Sequence, residues 1–191
     1  KLLCPSYNMV SKGESCERCK GGAFWHTLPS NCYAGMGARI ALTAEAYAHR
    51  WIRSYQRCVD LFLAPSKFVR DKFVEHGWDG CRFRELPHFQ RAHDLVQAAS
   101  VPDAPLLYFG RLSPEKGVDD LLRAMQHTPE LHLVIAGDGP QKAELQKLQA
   151  DLRLSNVEFV GNVSAEERDR LIRRSRFTVL PSHAYETLGK I

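Results

Sequence analysis

The chain has 191 residues, of which 44% are hydrophobic and 25% are charged, and its formal net charge is +4. This ordinary composition excludes the disordered and low-complexity classes, and no apolar run approaches the roughly 20 residues of a membrane-spanning helix. The small positive charge favours solvated helix faces, with contact to an inner membrane surface as the minority alternative, and no nucleic-acid partner is expected. Because the chain starts at Lys1 and stops inside a predicted turn at Ile191, both ends are expected to be cuts through a longer protein.

The first 90 residues combine a loop-rich segment with an α/β pattern. Residues 1–35 contain four cysteines and several glycines, as is typical of an irregular segment. Apolar residues then recur at helical spacing over 38–55, and the short apolar run 59–64 indicates a buried strand. A helix is predicted over 65–77, and residues 82–86 alternate weakly between apolar and polar before Pro87.

Residues 105–191 show a regular alternation of strands and helices, after a linker predicted at 91–104. The predicted strands are 106–109, 131–136, 157–160 and 177–180, and the predicted helices are 118–127, 140–152 and 164–175. Such alternation indicates a parallel sheet with helices on both faces, and right-handed crossovers make it Rossmann-like. The expected fold class is therefore α/β, with two half-domains at 1–90 and 105–191.

Two cations lie in the turn after the first strand of the second half. Arg111 directly follows Gly110, and Lys116 lies five positions later, just before a helix. An arginine offers a planar fork of donors and a lysine a compact charge, so the pair suits a diphosphate. From the spacing alone, two solvated surface cations are an equally good interpretation.

A glycine-rich turn, Gly137-Asp138-Gly139, follows the second strand. Its glycines permit close approach of the backbone to a ligand, and Pro140 suits the first position of the next helix. Most such turns are only turns, and the G-x-G-x-x-G fingerprint is incomplete, so NAD is disfavoured. Ligands of open parallel sheets lie beyond the carboxyl ends of the strands, so this turn and the Arg111 turn are expected at one edge.

Taken together, four motifs resemble the nucleotide-sugar half of the retaining family-four glycosyltransferases, which have the GT-B fold of two facing Rossmann-like domains. The motifs are residues 110–117, 136–140, 157–161 and 180–189. Upstream, residues 60–70 resemble the last strand and helix of the family's N-terminal domain. The resemblance implies an acceptor-side domain at 1–90, with a cysteine-rich insertion at 1–35, and the first part of a donor domain at 105–191.

The resemblance also implies a role for each motif residue. Arg111 and Lys116 would hold the donor diphosphate, and Glu186 would contact the donor sugar as the first glutamate of an E-x7-E motif. The second glutamate would fall at position 194, beyond the chain. The other donor-binding residues implied are Gly110, Gly137, Asp138, Gly139, Phe159, Val160, Gly161, Asn162, Thr187, Leu188 and Gly189.

Four cysteines near the start of the chain have the spacing of a structural zinc site, with one close pair and two outer ligands. They are Cys4, Cys16, Cys19 and Cys32. Some bacterial members of the family carry a similar cysteine-rich insertion, and a metal would organise a segment that lacks its own core. Reduced thiols without metal and disulfides remain the alternatives, whereas Cys58 and Cys81 are expected in the core.

The expected function is retaining transfer of a hexose from a UDP- or GDP-linked donor to a glycan or lipid-linked acceptor, as in bacterial polysaccharide synthesis. Cations and helix dipoles would stabilise the leaving diphosphate without a catalytic metal. The expected location is cytoplasmic, free or peripheral at the membrane, and the 191-residue chain alone is expected to be inactive. Two alternatives stay open: another GT-B enzyme such as a sugar-nucleotide epimerase, and a non-enzymatic zinc-binding module.

Overall fold

The computed structural model describes residues 2–6, 9–33, 35–88 and 103–185. These residues form two compact units. The first contains the described residues up to 88 together with 184 and 185, and the second contains residues 103–183. The linker predicted at 91–104 lies almost wholly outside the described residues.

The first unit contains short strands, 3-10 turns and α-helices. Its elements in chain order are β1 (Val10–Ser11), β2 (Glu14–Ser15), 3-10 turns at Lys20–Gly22 and Phe24–Thr27, α1 (Met36–Ile52), α2 (Ser54–Cys58), β3 (Phe62–Ala64), α3 (Lys67–Glu75), a 3-10 turn at Gly80–Arg82 and β4 (Phe83–Glu85). β1 and β2 form an antiparallel hairpin, whereas β3 and β4 pair in parallel.

The single helix expected over 38–55 is interrupted at Arg53. This residue adopts a left-handed conformation (φ 54°, ψ 36°) and ends α1, with its N–H donating to His49 O. Across the break, Ser54 Oγ and His49 Nδ1 are 2.8 Å apart. The periodicity of apolar residues carries no signal of this break.

Aromatic rings pack around the parallel pair β3–β4. Phe62 and Phe83 stack with their ring centroids 5.0 Å apart, and Trp78 lies edge-on to Phe62 at 5.4 Å. Ser66 caps α3 by accepting a hydrogen bond from Val69 N–H at 3.3 Å, which is the usual role of an N-cap serine. The strand–helix–strand segment therefore has a small core of its own.

The second unit is a parallel four-stranded sheet flanked by helices. Its elements are β5 (Leu106–Phe109), a 3-10 turn at Pro114–Lys116, α4 (Val118–Met125), β6 (Leu133–Ala136), α5 (Lys142–Asp151), β7 (Val157–Gly161), α6 (Ala165–Arg174) and β8 (Phe177–Thr178). The strand order is β7-β6-β5-β8, and each neighbouring pair is parallel. The predicted α/β class and parallel sheet are confirmed.

Several boundaries in this unit differ from the sequence-based expectation, and two of the differences concern α5 and β8. α5 begins at Lys142 rather than at Pro140, because the chain first turns back on itself and Gln141 N–H donates to Leu112 O at 3.1 Å. β8 pairs with β5 over only two residues, so it is shorter than the predicted strand. A local apolar pattern does not record how far a neighbouring strand extends.

A continuous apolar core lies between the sheet and its helices. Its buried members are Tyr108, Leu112, Val118, Leu121, Leu122, Met125, Leu133, Ile135, Leu145, Leu154 and Val157. α4 contributes four of them at i, i+3, i+4 and i+7 spacing, as expected for one face of a helix. Of the helices in the described ranges, none is both long and apolar enough to cross a membrane.

A buried asparagine closes the loop between α4 and β6. Asn156 Nδ2 lies 3.4 Å from Met125 O, 3.2 Å from Thr128 O and 3.0 Å from Leu131 O. An amide nitrogen has two hydrogens to donate, so three carbonyl oxygens share them. Asn156 therefore gives a further donor to three backbone carbonyls between α4 and β6, of which Met125 O and Thr128 O also accept backbone N–H groups.

Candidate functional site

The turns that follow β5, β6 and β7 converge at the carboxyl edge of the sheet. Leu112 N–H donates to Asp138 O at 2.9 Å, which joins the turn after β5 to the turn after β6. Gly137 N–H donates to Gly161 O at 2.8 Å, which joins the turns after β6 and β7. The predicted convergence of these motifs on one edge is therefore seen in the structure.

The packing of these turns is enough to explain why position 137 is a glycine, with no ligand invoked. Gly137 has a φ of +146°, and a Cβ at this position would overlap the carbonyl oxygen of Gly110. Any larger residue would have to push the two turns apart. The glycine is thus required by the sheet edge itself, and its contact with a donor stays a prediction.

The two predicted cations lie on the turn after β5, whose backbone is fixed. Tyr108 Oη donates to Arg111 O at 2.8 Å, and Lys116 N–H donates to Ser113 O at 2.9 Å. The Arg111 residue is exposed and Lys116 is half-buried. The arrangement places two cationic residues on one ordered turn at the sheet edge, while their contact with a diphosphate stays a prediction.

A third cation, Lys142, lies beside the turn after β6. Its Nζ donates to Asp138 Oδ2 at 2.9 Å, and Gly139 N–H donates to Asp138 Oδ1 at 2.7 Å. The Lys142 ammonium, followed by the Gly139 N–H, lowers the pKa of Asp138. A Cβ built at Gly161 would lie 3.9 Å from Lys142 Nζ. Sequence reasoning missed this lysine because no motif includes it.

The residues predicted to line a base pocket are at the end of β7. Phe159 packs against the core and is only half-buried. Val160 is also half-buried, Gly161 ends the strand, and Asn162 is exposed. Half-exposed side chains at a sheet edge are compatible with a pocket wall, and the base contact itself stays a prediction.

The turn after β8 packs directly on the turn that carries the two cations. His183 N–H donates to Glu115 O at 3.0 Å, and His183 Nε2 lies 2.8 Å from Asp120 Oδ2. Sequence reasoning singled out neither side chain. The four predicted donor-binding residues that follow lie outside the described residues: Glu186, Thr187, Leu188 and Gly189.

In the first unit, a group of charged and aromatic residues surrounds Tyr185. Its hydroxyl donates to Glu17 Oε1 at 2.6 Å, and Lys72 Nζ donates to the same oxygen at 2.7 Å. The Phe68 and Tyr185 rings are 5.3 Å apart. The Lys72 ammonium, and then the Tyr185 hydroxyl, lower the pKa of Glu17 to about 2. The loop-rich segment is thus attached to α3 and to Tyr185 through one carboxylate.

The four cysteines predicted to bind zinc do not form a recognisable metal centre. A hydrogen bond with the Cys19 thiol lowers the pKa of Cys4 to about 5 and raises that of Cys19. Cys16 Sγ accepts from Arg18 Nε at 3.2 Å, and Cys32 Sγ lies 3.9 Å from Ser30 O. Within the described residues, no three histidine, cysteine, aspartate or glutamate side chains are grouped so as to hold a metal ion. The zinc prediction is therefore unsupported.

All six cysteines are described, and each is a free thiol. Two that were expected in the core are exposed instead, because one ends α2 and the other lies in a surface 3-10 turn: Cys58 and Cys81.

Comparison with known sequences gives a match to the family described as glycosyl transferases group 1, over residues 94–190. The match covers just over half of the chain. It includes the whole second unit from β5 to β8, and therefore the edge at which the turns converge.

Several curated relatives transfer sugars according to their names. A sulfoquinovosyl transferase from Arabidopsis thaliana is 27% identical over 153 residues, which cover 73% of the chain and 29% of that protein. A GDP-mannose:cellobiosyl-diphosphopolyprenol alpha-mannosyltransferase from Xanthomonas oryzae pv. oryzae is 28% identical over 170 residues, covering 83% and 41%. A D-rhamnosyltransferase from Pseudomonas aeruginosa is 42% identical over 77 residues, covering 40% and 20%. The chain spans less than half the length of each.

Solved structures share the fold at low sequence identity. TarM from S. aureus, in a complex that includes UDP, gives a TM-score of 0.60 at 17% identity, covering 75% of the chain and 29% of TarM. HepE from Anabaena in complex with UDP gives 0.59 at 19% identity, covering 82% and 45%. At these identities the likeness concerns the fold alone.

Proposed function

We propose that this chain, which belongs to the glycosyl transferases group 1, supplies the nucleotide-sugar half of a hexosyltransferase site. The observation that carries the proposal is the convergence of the turns after β5, β6, β7 and β8 at one sheet edge, with two cationic residues on the first turn. In open parallel sheets this edge is where ligands bind.

The proposed donor is a UDP- or GDP-linked hexose, transferred with retention to a glycan or a lipid-linked acceptor. Two similarities support this choice. One relative is named as a GDP-mannose-dependent alpha-mannosyltransferase, and proteins of the same fold have been solved with UDP bound. The first unit, up to residue 88, would then belong to the acceptor side of the enzyme.

The proposed chemistry is electrostatic. Transfer breaks the bond between the sugar C1 and the diphosphate oxygen and forms a bond from C1 to an acceptor hydroxyl oxygen, which loses its proton. Negative charge develops on the departing diphosphate oxygen. Arg111 and Lys116 would offset this charge, because preorganised cations stabilise the charge that develops in a transition state. No metal is assigned to this step.

The remaining roles follow the family motifs. Glu186 would contact the donor sugar, and the residues at the end of β7 would surround the base. The backbone of the two glycine-containing turns would approach the diphosphate. The donor-binding set is Gly110, Gly137, Asp138, Gly139, Phe159, Val160, Gly161, Asn162, Thr187, Leu188 and Gly189.

The full-length protein tests this proposal when it is given UDP- or GDP-hexose with and without acceptor glycans. We expect release of the nucleoside diphosphate only when an acceptor is present. Release without any acceptor would instead favour an epimerase-like enzyme. The zinc-binding module is not favoured, because the described cysteines do not group around a metal site.

A further inference from the structure

We propose that His183 is a positioning residue for donor binding, which holds the turn bearing Lys116 against the turn after β8. This inference rests on the proposed function. It goes beyond that function because none of the roles proposed above is given to His183 or to its partner Asp120.

His183 contacts the chain on both sides of Lys116. Its backbone N–H donates to Glu115 O at 3.0 Å, one residue before the lysine. Its Nε2 lies 2.8 Å from Asp120 Oδ2 in the first turn of α4, four residues after the lysine. The lysine is therefore bracketed by two hydrogen bonds from a single residue.

The start of α4 and the turn after β8 are packed so closely that no side chain fits between them at Gly117. Gly117 has a φ of +62°, and a Cβ at this position would overlap Pro181 O and lie 2.9 Å from His183 Nε2. A left-handed glycine thus brings the start of α4 against the turn after β8. Movement of either segment would have to displace the other.

The other side of the Lys116 turn is held as well. Ser113 is buried, and its Oγ donates to Glu115 Oε1 at 2.7 Å. The Glu115 side chain is thereby fixed, while its carbonyl oxygen receives the His183 N–H. The His183 and Asp120 side chains are more exposed than Ser113. Their contact can therefore be removed by mutation without opening the core.

Loss of the pair should therefore weaken donor binding rather than unfold the protein. A single partly exposed hydrogen bond corresponds to a change of about fivefold in an equilibrium constant. We expect His183→Ala in the full-length protein to raise the Kd for the nucleotide about fivefold. The nucleotide is UDP, or GDP if the donor carries guanine. The KM for the donor should rise with this Kd, and the KM for the acceptor should not change.

Asp120 provides an independent variant. Asp120→Ala should have the same effect, and the double variant should be no worse than either single variant, because both remove one contact. Asp120→Asn keeps an oxygen that accepts from Nε2–H and should bind nucleotide like the wild type. His127→Ala, an exposed histidine beyond the other end of α4, is the matched control and should have no effect.

The titrations separate the possible failures. If the wild type binds UDP or GDP and His183→Ala binds it equally well, the positioning role is wrong and the proposed function stands. Additive effects of His183→Ala and Asp120→Ala would also overturn the role. If the wild type binds neither nucleotide, both the proposed function and the positioning role are overturned.

Discussion

At the scale of single residues, one carboxylate connects the loop-rich segment with α3. Glu17 accepts hydrogen bonds from Lys72 and Tyr185, and its pKa in the folded protein is about 2. An unfolded glutamate titrates near 4.3. Because the folded pKa is the lower one, Glu17 stabilises the protein above the unfolded pKa, and this stabilisation is lost as the pH falls through about 2.

This pKa predicts the effect of Glu17→Gln on acid stability. At pH 7 the variant should melt a few degrees below the wild type, because a charged hydrogen bond is lost. Towards pH 3 the difference should shrink, since the wild-type carboxylate is then losing its advantage. Thermal unfolding at pH 7, 5 and 3 measures this, with Glu14→Gln on the exposed β2 strand as the control. A pH-independent difference would contradict the assigned pKa.

A second residue-scale prediction concerns the buried Asn156. Replacement by alanine would leave the carbonyl oxygens of Met125, Thr128 and Leu131 without this donor, at a cost of about 2 kcal/mol in the free energy of unfolding. Chemical denaturation should show the loss, whereas Gln146→Ala on the exposed side of α5 should change little. Equal stability of Asn156→Ala and the wild type would show that other donors satisfy these carbonyls.

At the scale of secondary-structure elements, α4 is the helix that joins the core to the proposed site. Its first residue follows the Lys116–Gly117 turn, and its apolar face is buried. Leu122 is fully buried, so Leu122→Ala should destabilise the protein by about 2–5 kcal/mol through a cavity. The exposed neighbour Arg123 serves as the control in the same denaturation experiment. A loss below 1 kcal/mol for Leu122→Ala would mean that α4 is not anchored as described.

The elements of the second unit could be predicted because local signals agree with the tertiary structure. The strands are short, largely apolar runs, and α4 has a clear apolar face with Val118, Leu121, Leu122 and Met125 buried, so period and length identify them. The break at Arg53 could not be predicted, since the helical spacing of apolar residues continues through it. The start of α5 was misplaced for a related reason: the backbone at Gln141 bonds to Leu112, which is distant in sequence.

The site was predicted only where its residues belong to sequence motifs. Arg111 and Asp138 could be placed at one edge from strand order alone. Lys142 was missed because it belongs to no motif, although its partner Asp138 is only four residues away. Asp120 and His183 could not be placed because their contact joins α4 to the turn after β8. The zinc prediction failed to find support because cysteine spacing does not determine where the sulfur atoms lie in space.

At the scale of the whole molecule, the chain spans less than half of the relatives it matches. A GT-B active site is built from two domains. We therefore expect the purified 191-residue chain to bind nucleotide weakly and to transfer no sugar. A donor-turnover assay alongside the full-length protein checks this, and robust turnover by the 191-residue chain would contradict it.

The central claim is that the Arg111–Lys116 turn binds the diphosphate of a nucleotide sugar. Calorimetric titration of UDP and GDP into the full-length protein and its Lys116→Ala and Arg111→Ala variants tests it most directly. Each charge-assisted hydrogen bond corresponds to about a tenfold change or more in Kd, so each variant should bind at least tenfold more weakly. Arg173→Ala, an exposed arginine on α6, should bind like the wild type. Unchanged affinity in both site variants, or a wild type that binds neither nucleotide, would contradict the claim.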